Sequence, residues 1–305
     1  MLHSKKKKDR VKKSRHNKKR NGGASLKPLD LDSGMFKLLT QRLLSDIPLP
    51  PRKIDEKIHR DIYSPAKMKM LENETLKRAE RLHATSFRYC NFSNIAKCNI
   101  AKCVELNLEA VEQLKQAIDM GSLRARACLA DMLLNGNTVG VRKNVREAMM
   151  LVSQVDDPDC QGVLAHSHFN DGIKAGRSLA IQSAAAGSKY GQLVVGLFAQ
   201  QERNTKKAAE YFALAAAQNY DEAQIALSYL QSDKDEVMRL LTLAAEQGNK
   251  HAFFLIAETF RLKAEHEPGR YLHLKAMQWF NLAMDAEHPY AQDALSAMKY
   301  KYSGL

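Results

Sequence analysis

The 305-residue chain has no uninterrupted apolar run approaching the roughly 18 residues that a membrane-spanning helix requires, so no such helix is expected. Its opening residues, MLHSKKKKDR, lack the apolar segment of a secretory signal, and an intracellular chain is expected. Cysteine is sparse. Cys90, Cys98, Cys103, Cys128 and Cys160 are odd in number and dispersed, which argues against a disulfide framework and leads us to expect reduced thiols. The tandem NIAKCNIAKC spaces Cys98 and Cys103 as no usual zinc site does, and a helix would carry the two thiols to different sides. Without secretion the sequons at Asn73 and Asn91 should stay unmodified.

Acidic residues are nearly missing from the first twenty positions. Asp9 stands there against Lys5, Lys6, Lys7, Lys8, Arg10, Lys12, Lys13, Arg15, Lys18, Lys19 and Arg20. That segment therefore holds +10 of the formal net charge of +13, leaving +3 for everything after it. Like charges with little apolar content cannot form a core, so residues 1–25 are expected to be a disordered basic tail. The clusters KKKK and KKSRHNKKR resemble a bipartite nuclear or nucleolar import signal, which an import receptor would read; the cytoplasm is the alternative location. The same cations would bind any polyanion through counterion release, which leaves an RNA-associated role open, or would simply solubilise the chain. No aromatic residue is interleaved among residues 1–25, so base stacking is not indicated.

Catalytic and cofactor signatures are also lacking. His166 and His168 form an HSH pair whose side chains diverge on a helix, and GNTVGVRKN has no Gly-Lys-Ser/Thr ending with which to cradle phosphate. Nothing assembles a nucleophile, a base and an oxyanion site, and no cofactor or metal is expected. The chain reads as a non-enzyme.

What is present is repetition. Residues 26–65 carry prolines around one apolar patch, MFKLLTQRLL, and read as a linker with a possible short helix. Residues 66–109 read as a helical extension, with a rough apolar stripe of Met68, Leu71, Leu76, Ala79 and Leu82. From 110 to 300 the spacing becomes regular. Ala110, Ala148, Gly176, Ala208, Val237 and Ala276 are followed three residues on by Gln113, Leu151, Leu179, Tyr211, Leu240 and Trp279. Seven residues on stand Ala117, Val155, Ser183, Ala215, Ala244 and Ala283, which is the geometry of one helical face.

A second helix has its own register. It starts at Ala125, Cys160, Gly191, Ala223, Ala252 and Ala291, with Leu129, Leu164, Val195, Leu227, Ile256 and Leu295 four residues later. One position further come Ala130, Ala165, Gly196, Ser228, Ala257 and Ser296, all small, as close approach of a neighbouring helix requires. Gly121, Gly187, Asn219 and Gly248 each stand four residues before a start, where a helix would end in the left-handed conformation. Successive starts lie 29 to 39 residues apart, the period of a helix-turn-helix solenoid.

The run LADMLLNGNTVGVRKNVREAMMLV, residues 129–152, resembles the Sel-one-like repeat (SLR) family: Gly136, Gly140, Val141, Asn144 and Ala148 match the inter-helix part of its pattern. Ala244, Ala245 and Gly248 match the end of a later unit, and the resemblance spans roughly 110–300 in four or five units. The units at 191–251 have shorter inter-helix loops, and DDPDC at 156–160 replaces the usual joint. The resemblance implies an all-α, α/α superhelical solenoid related to tetratricopeptide arrays, acting as an adaptor with no catalytic residues. Each such unit needs its neighbours to complete its core, and the stack should leave an extended concave wall for a protein partner. Positions six and nine residues after each start vary most freely, and we expect partner contacts from Asp131, His166, Tyr229, Glu258 and Arg261.

Overall fold

The computed structural model describes residues 65–86, 98–266 and 270–301, all within one compact unit, Lys57–Leu305. The basic tail, the linker with its expected helix, Cys90 and the Asn91 sequon lie outside the described residues.

Among the described residues there are thirteen helices, and the only extended pairing is an isolated bridge between Thr138 and Asn249. The helices are α1 (Pro65–Ser86), α2 (Ile100–Asp119), α3 (Leu123–Asn135), α4 (Val145–Val152), α5 (Pro158–Asn170), α6 (Gly176–Ala185) and α7 (Lys189–Gln201). There follow α8 (Thr205–Ala217), α9 (Asp221–Ser228), α10 (Lys234–Glu246), α11 (Lys250–His266), α12 (Arg270–Asp285) and α13 (Ala291–Lys301). They pack as consecutive hairpins, α1 on α2 through α11 on α12, and each second helix also touches the first helix of the next hairpin. The fold is an all-α superhelical solenoid. The boundary expected between an extension and the repeats falls inside α2, one continuous helix whose Ala110 and Ala117 are fully buried.

Side-chain size explains the stacking. Every start position, from Ala125 to Ala291, is buried, and so is the small-residue column five positions on, except Ser296. Ser296 is exposed because α13 is the final described helix and nothing stacks on it. The joints have a common geometry: Gly121 (φ 98°), Gly187 (88°), Asn219 (57°) and Gly248 (82°) are all left-handed. Glu287 (φ 60°), four residues before the start at Ala291, adopts the same conformation without the residue type that would announce it.

Cap residues set where the helices begin. Asn99, Ser122, Asn144, Asp157, Asn204 and Asp233 each accept a backbone N–H from the first turn of the helix that follows.

One feature departs from an open solenoid. The loop between α3 and α4 crosses the stack and docks on the joint between α10 and α11. There the Val139 N–H donates to Gly248 O (3.2 Å) and the Lys250 N–H to Asn137 O (2.9 Å). Asn107 of α2 donates its Nδ2–H to Val139 O (2.9 Å), and Val139 is 1% exposed in the same apolar cluster as Phe253 and Trp279. Asn249, fully buried, locks the contact by donating to Asp221 (2.8 Å) and Glu222 (3.2 Å), while Asn137 donates to Glu222 (2.7 Å). The early units thus clasp the late ones and narrow the concave side of the superhelix to a half-open hollow.

The thiols also depart from expectation at one position. Cys103, Cys128 and Cys160 are free, and burial pushes them up to about 11, 11 and 12. Cys98, just ahead of the Asn99 cap of α2, is disulfide-bonded, so a reduced state throughout is corrected there. Spacing argued against a framework and a zinc site, and neither argument reaches a single bridge.

Candidate functional site

The helices α3, α5 and α7 begin beside the hollow, so their N-terminal residues form part of its wall. The result is a cavity of about 590 Å³ bounded by Glu80 and His83 of α1, Leu114 of α2, Arg124, Cys128 and Met132 of α3, and Asp157 and Asp159 at the start of α5. Ser188, Lys189 and Tyr190 at the start of α7 and the joint residues Gln218, Asn219 and Gln247 complete it. A side pocket of about 80 Å³ shares Lys189, Tyr190 and Gln247 with this cavity and reaches Asp131, Tyr220 and Glu222.

Most of the wall is held in place by polar contacts. Arg124 pairs with Glu80 at 2.7 Å, and His83 Nδ1 lies 3.0 Å from Asn107 Oδ1. Amide side chains bridge successive joints: Gln218 donates to Gly187 O (2.9 Å) and Gln192 Oε1 (2.8 Å), and Gln247 donates to Gln224 Oε1 (2.9 Å). The Tyr190 and Tyr220 rings meet edge to face at 5.2 Å, and the Lys189 ammonium lies 5.1 Å from the centroid of each.

Two carboxyls of the side pocket, Asp131 and Glu222, have unusual acidities. Burial pushes Asp131 up to about 7, although it accepts hydrogen bonds from Tyr220 Oη–H (2.7 Å) and Asn135 (2.9 Å). Burial, and then the neighbouring Asp221, also hold Glu222 well above the usual carboxylate range. A carboxyl whose pKa is raised by folding stabilises the fold fully below its unfolded value near 4, and that contribution is lost as pH rises through the folded value. Burial lowers His166, His251 and His288, so above about pH 7.5, a full unit past the unfolded histidine value, they are neutral both folded and unfolded. Between about pH 7.5 and 9 the melting temperature is expected to fall by about 3 °C, from roughly 1 kcal/mol of lost stability. The pair Asp131→Asn and Glu222→Gln should flatten this limb in thermal melts. An unchanged slope would show that these groups ionise at their ordinary pH.

Chemically the hollow suits recognition. Cys128 is a thiol in its wall and, with its pKa raised, is protonated at neutral pH and a poor nucleophile. Charged groups, aromatic rings and amides converge there.

The five residues expected from the sequence are not brought together. Asp131 lines the side pocket. His166 is buried within α5, where desolvation lowers it to about 4. Tyr229 is 59% exposed beyond the end of α9, with its hydroxyl 3.4 Å from His251 Nε2. Glu258 and Arg261 lie on α11 away from the cavity and pair with each other at 2.7 Å, Arg261 also reaching Glu265 at 3.0 Å.

A further variable column lies immediately before each start. It holds Arg124, Asp159, Tyr190, Glu222, His251 and Tyr290, of which the first four line the cavity or its side pocket. The sequence carried a signal for it: each occupant is polar or aromatic and nearly all differ, directly beside a column that is uniformly small.

No protein-family profile and no curated protein matches the chain. Among solved structures it is similar to a protective antigen of uropathogenic Escherichia coli that displays an SLR fold, at 19% identity over 75% of this chain and 58% of that one, with a TM-score of 0.43. It is also similar to a Sel1 repeat protein from Oxalobacter formigenes, at 18% identity over 83% of this chain and 97% of the other, TM-score 0.40. An immunity protein from Pseudomonas aeruginosa is 16% identical over 62% and 74% of the two chains, TM-score 0.36. Two of these three carry by name the repeat that residues 129–152 resemble.

Proposed function

We propose that this chain is a non-catalytic scaffold that binds a protein partner at the inner wall of its superhelix. The observation that carries this reading is the wall itself: residues of differing charge and shape stand before successive helix starts, on a framework of buried small residues that holds them in fixed register. Such a division between an invariant stack and a variable lining supports recognition of one extended partner segment.

The reading is tested with a partner identified by proximity labelling in the native cell and then purified. Reversing charge at Arg124 and Asp159 should weaken its binding at least tenfold. Reversing Lys206 and Glu210, exposed on α8 and outside the cavity lining, should leave it unchanged. Equal losses from both pairs, or none from the first, would remove the wall from the function.

The basic segment Lys5–Arg20 acts in this proposal as a nuclear or nucleolar address, supported by the concentration of +10 of charge in twenty residues. Deleting residues 1–25 should move the chain to the cytoplasm while the partner stays bound. Loss of ribonucleoprotein neighbours on that deletion, with RNA affinity falling steeply with salt, would instead favour nucleic-acid binding by the tail.

A further inference from the structure

The geometry points to a carboxylate-binding subsite at the start of α7, which would take a carboxylate of the partner peptide; it rests on the partner reading above. Three observations converge on it. The first intrahelical bond of α7 runs from Gln192 N–H to Ser188 O, so the N–H groups of Lys189, Tyr190 and Gly191 have no acceptor within the helix. Ser188 stands at the cap position without capping: its hydroxyl accepts none of these N–H groups, and its Oγ is buried without a hydrogen-bond partner while the residue, 4% exposed, borders the cavity. Lys189 brings an ammonium to the same wall, resting over the Tyr190 and Tyr220 rings at 5.1 Å, with no hydrogen bond or ion pair among the described residues.

At two neighbouring starts these needs are met from within, whereas α6, which also lacks a cap and an acid, has Ala175 at its cap position and so no idle hydroxyl. Asp157 caps α5 by accepting from Asp159 and Cys160 N–H at 3.0 Å each, and α9, whose cap is also idle, has Asp221 and Glu222 in its first turn. The first turn of α7 holds a cation and no acid. A monoanionic carboxylate supplies what is missing: it accepts from the hydroxyl and the helix N–H groups, and it pairs with the ammonium. Asp157 and Asp159 on the same cavity wall disfavour a more highly charged phosphate.

The test uses the full chain and small probes. N-acetylglycine presents an α-carboxylate, N-acetylaspartic acid amidated at its α-carboxyl presents a side-chain carboxylate, and N-acetylglycinamide is the neutral control. Backbone amide shifts are followed by NMR. Either acid should give saturable shifts centred on Ser188 to Gly191, and the one that binds identifies a chain terminus or an acidic side chain as the source. Lys189→Gln and Ser188→Ala, melting like the parent, should each weaken binding at least fivefold. Shifts that are linear with concentration, scattered over the chain, matched by the neutral control or indifferent to Lys189→Gln would overturn the subsite. Partner crosslinks to other wall positions that persist in such a case would leave the scaffold reading standing.

Discussion

Gly191→Ala is expected to lower the stability of the fold by about 2–3 kcal/mol, because the added methyl has no space to enter. A Cβ at Gly191 would lie 2.5 Å from the backbone nitrogen of Ala184 in α6, and backbone cannot rotate aside as the end of a long side chain can. Gly196→Leu should behave similarly, since a Cβ there already comes within 2.5 Å of Phe212 Cδ1. The informative comparison is Ser296→Leu. Ser296 occupies the same column in α13 but is exposed, and its substitution should change stability by no more than about 0.5 kcal/mol. Denaturant melts of the three variants check the stack directly. Similar losses at Gly196 and Ser296, or none at Gly191, would break the register from which the units are counted.

The second large effect is expected at the clasp. Asn249→Ala removes a fully buried amide that donates to Asp221 and Glu222 and accepts from the N–H groups of His251 (2.9 Å) and Ala252 (3.2 Å). The loss should reach about 2–4 kcal/mol, above the roughly 1 kcal/mol of an ordinary helix cap, because buried partners on two elements are left unsatisfied. Amide exchange separates this from simple fraying of α11. Opening of the clasp should raise exchange at Val139 and Lys250, whose N–H groups bond across it, while those in the middle of α7 stay protected. Exchange confined to the first turn of α11 would mean that Asn249 is only a cap.

The stack was legible in the sequence because its cause is local: a small residue recurring at helical spacing marks a close contact whatever lies beyond it. Ala130, Ala165 and Ala257 are fully buried for that reason, and Gly121, Gly187 and Gly248 turn left-handed where spacing placed them. The rough stripe of the first helix was less informative. Leu76 and Ala79 are buried, but Leu71 is 45% exposed on α1, which among the described residues packs chiefly on α2.

The hollow was not legible, because it depends on how far the superhelix turns between units. That turn brings Asn137 to Lys250 and Asp131 to Tyr220, residues far apart in the chain with no shared pattern. Partner contacts were expected six and nine residues after each start, and of those five residues Asp131 lines the side pocket. In a superhelix this tight the helix starts converge instead, so Arg124, Asp159 and Tyr190 face the cavity while Glu258 and Arg261 satisfy one another on α11.

The central claim is that the hollow, and not the outer surface or the basic segment, is where a partner binds. Photocrosslinking amino acids placed singly at Met132 and Gln218 in the cavity wall, and at Glu210 on the exposed face of α8, test it in the native cell. The account predicts that the two wall positions capture one and the same protein, through adjacent residues of a single segment, and that Glu210 captures none of it. Capture of that protein from Glu210 alone, or its loss from every position once residues 1–25 are deleted, would contradict the account.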